Sequence, residues 1–302
     1  MKTFKLALDW TPNTNHIGFF VAQELGYYKE ENLQVELLNP QIDNYDVTPA
    51  KKVELGEADM ALCPFESIIS YRTKRQKFNA VAICTLFQDD LSGIVVLDDS
   101  PVKSPKDLDG KSYASYKARY EDEIVRQMIM NDGGKGELRL TYPEKLGIWE
   151  TLLSKEQDAT WIFLNWEGVQ AKNKGIQLRI FRLSDYGIPY AYSPVIMAST
   201  QLVSSLSNEY ASFLKATKKG FLYAFNHPEL AAKILKPFVA ETDKDIDLVD
   251  SQKQSLSAYG TPEGWGKMEK HRVDSFLHWL KKTNLETTAL AYEDLVYTGL
   301  LP

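Results

Sequence analysis

The 302-residue chain has only two cysteines, Cys63 and Cys84, and only four histidines. Two cysteines cannot form a disulfide framework, nor a zinc site by themselves. Both lie in apolar runs, "DMALCP" and "AVAICTL", and read as buried thiols that act as small hydrophobes. No histidine pair has metal-ligand spacing; His271 and His278, seven apart, read as one shared helix face. No metal is expected. A basic stripe is also missing: the net charge is −6 and acidic and basic residues alternate in short runs, which excludes a nucleic-acid footprint. No apolar run approaches the roughly 18 residues of a membrane span, so the chain is not expected to cross one.

Catalytic signatures are scarce as well. The chain contains no Gly-x-Ser-x-Gly elbow, no phosphate-binding loop and no dinucleotide fingerprint. The glycine-rich "NDGGKGE" (131–137) follows a helix and reads as its exit and turn. No cofactor is expected, and the partners expected are small molecules. No signal peptide is expected, because Met1-Lys2-Thr3 leads straight into "FKLALDW". Two compartments fit that start: the cytoplasm if Met1 is native, the periplasm or cell surface if a leader was trimmed.

What is present is a composition of 44% hydrophobic and 25% charged residues over a length that suits two domains. Strand-like runs at 3–9, 33–38, 58–63, 79–86, 93–97, 111–115, 137–141, 158–164, 177–182 and 192–198 alternate with amphipathic segments. This predicts an α/β protein with parallel-rich sheets covered by helices. From about 201 the pattern is helical, at 201–204, 207–226, 228–237, 244–257, 263–281 and 287–296. "SGIVVL" (92–97) and "YSPVIMAS" (192–199) read as hinge crossings between lobes, with 1–93 and 197–302 in lobe one and 94–196 in lobe two. A weak internal echo accompanies this division. "VELGEADMALCPFES" and "LLSKEQDATWIFLNWEG" share a helix end, a turn, an Asp before an apolar strand, and a loop delivering a glutamate. Two similar lobes presenting equivalent loops across a cleft would produce it, though so would any two helix–strand units.

Aromatic and polar residues concentrate at predicted strand ends, where ligands bind in open α/β sheets. Asp9, Trp10, Asn13 and His16 follow the first strand, and Glu66 and Ser67 follow the third. "SYKARYEDE" (115–123) carries Tyr116, Arg119 and Tyr120, with Arg119 placed to neutralise Glu121 locally. "FLNWEG" carries Asn165, Trp166 and Glu167, and "DYGIPYAYSP" carries Tyr190. Rings stack on the faces of a flat heteroaromatic ligand, while carboxylates and amides bind its edge.

"LDWTPNTNHIGFFVAQELGYYKEENLQVEL", followed by "GEADMAL" and "SPKDLDGK", resembles the thiamin-pyrimidine family of periplasmic-binding-protein-like proteins. The family includes formylaminopyrimidine-binding proteins and eukaryotic thiamin pyrimidine synthases. The resemblance implies a two-lobed, hinged type II binding-protein fold with a ligand in the interlobe cleft and Trp10 against a pyrimidine ring. In the synthases a lysine that holds pyridoxal phosphate is followed, four residues on, by a histidine consumed as substrate. The matching positions here are Cys63 and Ser67. A thiol cannot form the Schiff base and a hydroxyl cannot supply imidazole atoms. A monomeric binding protein is therefore expected, serving an ABC-type permease and performing no chemistry. The alternative is an enzyme of thiamin pyrimidine biosynthesis or salvage that uses Glu66 or Glu167 as general acid or base.

Overall fold

The strand runs fold into two five-stranded sheets in a computed structural model that describes residues 1–301. In chain order the strands are β1 (Lys2–Ala7), β2 (Leu33–Leu38), β3 (Met60–Cys63), β4 (Ala80–Thr85), β5 (Ser92–Leu97), β6 (Lys111–Ala114), β7 (Leu138–Thr141), β8 (Ala159–Phe163), β9 (Leu178–Phe181) and β10 (Val195–Ser199). Two compact units hold them. Unit 1 comprises Met1–Asp90, Tyr192–Val273 and the chain from Thr288 onward; unit 2 comprises Leu91–Ala191 and Asp274–Thr287.

The sheet of unit 1 has the order β2-β1-β3-β10-β4. Strands β2, β1 and β3 run parallel, whereas β10 is antiparallel to both of its neighbours. The sheet of unit 2 has the order β7-β6-β8-β5-β9, with β5 antiparallel to both β8 and β9. The expectation of parallel-rich sheets therefore needs correction: both sheets are mixed. The cause is topological. The two segments read as crossings, β5 and β10, are the strands on which the chain enters one sheet from the other, and each enters against the parallel set.

The internal echo has a structural counterpart. Lys5 N–H donates to Asp59 Oδ2 at 2.8 Å, and Asp59 N–H returns a bond to the Lys5 carbonyl at 3.0 Å. In unit 2, Ser112 N–H donates to Asp158 Oδ2 at 2.8 Å, and Asp158 N–H bonds back to the Ser112 carbonyl at 3.2 Å. Each aspartate stands one residue before its strand and pins it to the parallel neighbour. Burial pushes the Asp158 carboxyl up, but the Ser112 N–H and hydroxyl, together with the Lys111 and Arg139 charges, hold it below the usual carboxylate range.

The helical third of the chain covers unit 1. The helix Ser207–Asn226 buries Tyr210, Phe213, Leu214, Thr217, Gly220, Phe221 and Ala224, a stripe at three- and four-residue spacing. It lies against the helix Ile17–Glu24. Their close approach depends on glycine, since a Cβ at Gly220 would stand 2.1 Å from the Gly18 carbonyl oxygen and 2.9 Å from Ala22 Cβ. Alanine is the better helix former, but here the obstacle is backbone and cannot rotate away. Gly220→Ala is expected to cost about 3 kcal/mol and to lower the Tm by several degrees in a thermal melt. An unchanged Tm would mean that the two helices separate freely.

Two helix expectations shorten. The run at 263–281 becomes a turn followed by the helix Lys270–Lys282, because Gly266 takes φ +85° and the N–H groups of Gly264 and Trp265 both bond to the Thr261 carbonyl. The run at 287–296 contains only the short helix Tyr292–Leu295. Residues 274–287, which the reading of the chain grouped with lobe one, pack within unit 2. There Phe276 meets the Tyr190 ring edge-on at 5.7 Å, and Glu286 pairs with Arg119 at 2.6 Å. No described helix is long and apolar enough to cross a membrane.

Candidate functional site

In unit 1, β1 and β3 are parallel neighbours, so the loops after Ala7 and after Cys63 leave the same edge of the sheet. The first of these loops is tightly organised. Asn13 Oδ1 accepts the Asn15 N–H at 2.8 Å, and Asn13 Nδ2 donates to the Thr11 carbonyl at 3.0 Å. His16 is fully buried, with Nδ1 accepting the Asn13 N–H at 3.3 Å. Its Nε2 therefore carries the proton and donates it to Asp9 Oδ1 at 2.7 Å. Asn13 and His16 are thus framework for Asp9. The half-buried side chains that this frame presents are Asp9 and Trp10.

The second loop opens the helix Phe65–Thr73, whose first turn carries the buried Glu66 and the half-buried Ser67. Burial drives the Cys63 thiol well above its ordinary range, and the nearby Asp9 and Glu66 carboxylates push the same way. The Ser67 hydroxyl is hydrogen-bonded to that thiol. Cys63 is consequently held as a neutral thiol in contact with Ser67, the opposite of what a nucleophile needs. The same interactions place Asp9, Cys63, Glu66 and Ser67 in one neighbourhood.

A residue absent from the sequence expectations joins them. Tyr45 donates its hydroxyl hydrogen to the Asp9 main-chain carbonyl, and its ring lies 6.0 Å from the Trp10 indole, tilted by 54°. Burial first, then the charges of Asp9, Cys63 and Asp43, push its phenol far above the usual tyrosine range. Tyr45 and the preceding Asn44 both adopt left-handed backbone, at φ +63° and +48°. For a tyrosine this conformation costs about 1–2 kcal/mol. The turn before it is well built: Asn39 caps Pro40–Asp43, and Asp43 Oδ2 pairs with Lys52 at 2.5 Å. Only the run of polar turn residues "NPQIDN" signals this turn in the sequence, and nothing there says where Tyr45 points.

In unit 2, β6 and β8 are parallel neighbours, so the loops carrying Tyr116 and Asn165-Trp166-Glu167 also leave one sheet edge. The loop after β6 is wound around Glu121. This buried carboxylate accepts the Tyr113 hydroxyl at 2.9 Å, the Tyr116 N–H at 3.0 Å and the Ala118 N–H at 3.1 Å. Burial raises the Glu121 carboxyl, with those three donors working against the rise. Arg119 does not neutralise Glu121 as the spacing suggested. Its Nη2 pairs with Glu286 Oε2 at 2.6 Å, and the Tyr120 hydroxyl donates to the same oxygen at 2.9 Å. The partner lies 167 residues away in sequence, beyond the reach of a local reading.

Asn165, Trp166 and Glu167 are all buried, and Glu167 Oε2 accepts the Phe163 N–H at 3.0 Å, tying the first residue of the helix Glu167–Asn173 back to the end of β8. Tyr190 is half-buried between the rings of Trp161, at 5.4 Å, and Phe276, at 5.7 Å. The structure thus gathers Asp9, Trp10, Glu66 and Ser67 on unit 1. On unit 2 the neighbouring strand ends carry Tyr116 and the 165–167 turn, while Arg119 and Tyr120 are bound to Glu286. Among the described residues no group of three His, Cys, Asp or Glu side chains is arranged to hold a metal ion.

The family model described as "NMT1/THI5 like" matches residues 13–231, most of the chain. The chain belongs to this family. A formylaminopyrimidine-binding protein from Halalkalibacterium halodurans is 25% identical over 287 residues, covering 93% of this chain and 85% of that one. A 4-amino-5-hydroxymethyl-2-methylpyrimidine phosphate synthase from Legionella pneumophila is 26% identical over 239 residues, covering 76% of this chain and 72% of its own. Among solved structures, the ligand-binding component of an ABC-type import system from Staphylococcus aureus superposes with a TM-score of 0.70 at 15% identity, covering 99% and 98% of the two chains. The fold is that of periplasmic binding proteins, and the chain's relatives include one named as a binding protein and one named as a synthase.

Proposed function

We propose that this family member is a solute-binding protein that captures a thiamin-precursor pyrimidine, or a similar flat heteroaromatic molecule, for an ABC-type permease. The observation that carries this reading is the unit 1 face, where the Trp10 indole packs on the Tyr45 ring, Tyr45 bonds to the Asp9 main chain, and the Asp9 and Glu66 carboxylates both lie near Cys63. An aminopyrimidine needs those two things: a ring to stack on and acceptors for its exocyclic amino group. Ser67 edges this face, while Asn13 and His16 support it from beneath. Tyr116, Tyr190, Asn165, Trp166 and Glu167 are the groups of unit 2 assigned to the ligand. Arg119 and Tyr120 shape the unit 2 loop through Glu286 and are left out of the ligand set.

The similarity to a formylaminopyrimidine-binding protein over most of both chains supports the assignment. A titration of intrinsic tryptophan fluorescence with aminopyrimidines, thiamin and riboflavin tests it. Saturable quenching by an aminopyrimidine is expected; no change with any of them at high micromolar concentration rejects the ligand class.

The similarity to the Legionella synthase favours a second reading, an enzyme in which Glu66 or Glu167 acts as general acid or base. Against it stands the neutral, hydroxyl-bonded Cys63 thiol, where a synthase of the kind described above carries its amine. Product that forms with the intact protein and disappears in both Glu66→Gln and Glu167→Gln would favour the enzyme.

A further inference from the structure

We propose that Tyr45 is a positioning residue of the unit 1 face, fixing the Trp10 indole at the angle a flat ligand stacks against. The inference rests on the binding reading above and adds to it a residue that neither the sequence motif nor the strand ends indicate. Three independent features converge on Tyr45. Its hydroxyl reaches the carbonyl of Asp9, the atom through which the chain enters Trp10. Its ring packs against the Trp10 indole at 6.0 Å. Its backbone is left-handed, immediately after a second left-handed residue, Asn44.

The third feature distinguishes a positioning role from ordinary packing. Glycine and asparagine occupy the left-handed region with little strain, and a tyrosine does not. Asn44 suits its position; Tyr45 does not suit its own. Strained residues of this kind persist where the surrounding structure over-determines them, and they cluster at ligand clamps. Here the surroundings do so. Tyr45 N–H bonds to the Pro40 carbonyl at 2.9 Å, and Asp46 N–H bonds to the Asp43 carbonyl at 2.9 Å. The Asp43–Lys52 pair ties the turn to the helix Pro49–Glu54. The turn therefore holds the phenol rigidly, and the phenol in turn holds the Asp9–Trp10 peptide. His16 secures the same residue from the other direction through the Asp9 carboxylate. With both the carbonyl and the side chain of Asp9 tethered, little freedom remains for the indole that follows, so stacking orders little that was mobile.

Two variants of the full chain, Tyr45→Phe and Tyr45→Gly, test this with two readouts. The first needs no ligand: acrylamide quenching of Trp10, obtained by subtracting the signal of the matching Trp10→Phe protein. The second is the affinity for 4-amino-5-hydroxymethyl-2-methylpyrimidine. Tyr45→Gly relieves the backbone strain but also removes the ring that covers the indole, so the decision falls to Tyr45→Phe, which keeps that ring: a purely structural tyrosine predicts unaltered Trp10 quenching and unaltered affinity in it. Positioning predicts that Trp10 becomes more accessible in both variants, and that Tyr45→Gly binds the pyrimidine about tenfold more weakly, with Tyr45→Phe in between. Tyr45→Phe decides whether or not Tyr45→Gly folds, since it keeps the ring and loses only the bond to Asp9. Trp10 quenching unchanged in Tyr45→Phe overturns the proposal. A wild-type protein that binds no pyrimidine rejects the functional reading, while the quenching measurement still judges Tyr45.

Discussion

Trp10→Ala is expected to weaken aminopyrimidine binding by about two orders of magnitude, since a stacked base is worth about 1–3 kcal/mol by alanine substitution. The fold should tolerate the change. Trp10 is half-buried at a loop, and the turn beneath it is held by bonds that do not involve the indole: Asn13 to Asn15 and Thr11, and His16 to Asp9. Trp10→Phe keeps a smaller ring and should fall between the two. Isothermal titration of the three proteins, with thermal melts alongside, checks this. Wild-type affinity in Trp10→Ala would show that the ligand stacks elsewhere.

The second large effect concerns stability. Glu121→Ala removes the acceptor of three buried donors, the Tyr113 hydroxyl and the Tyr116 and Ala118 N–H groups. Buried donors left without acceptors are costly, and about 3 kcal/mol of destabilisation is expected. Its pH dependence has a definite sign. Burial raises the Glu121 carboxyl above its unfolded value, so the folded state binds that proton more tightly. The stability due to its protonation is complete below the unfolded glutamate range and is lost as pH rises through the folded pKa. The gap between wild type and Glu121→Ala should therefore be widest in acid and narrow toward neutrality. Urea unfolding at several pH values measures it. A gap that widens with pH would mean that the loop donors, and not burial, govern this carboxyl.

Elements set by local pattern were legible before the structure. All ten strands lie where apolar runs predicted them, and the helix Ser207–Asn226 matches its expected span. Gly26, just past the helix Ile17–Glu24, takes φ +76°, where glycine carries no left-handed strain. Strand direction was not legible, because "SGIVVL" and "YSPVIMAS" read the same whether they run with their neighbours or against them. Within the site, the sequence located the loops but not the division of labour inside them. Asn13 and His16 carry the polar atoms of ligand-binding residues, and hydrogen bonding turns those atoms inward. Arg119 sits two residues from Glu121, yet it finds Glu286 because Glu121 is already occupied by Tyr113, Tyr116 and Ala118. Tyr45 escaped notice for a related reason, since its contribution depends on a left-handed backbone and a bond to a residue 36 positions earlier.

Recovery of the ligand after binding distinguishes capture from conversion. The intact protein is incubated for hours with stoichiometric 4-amino-5-hydroxymethyl-2-methylpyrimidine, separated from free ligand by gel filtration, denatured, and its contents identified by mass spectrometry. For a capture protein, the pyrimidine travels with the protein and is released chemically unchanged. A protein fraction free of pyrimidine, or one that yields a product of altered mass, would contradict capture.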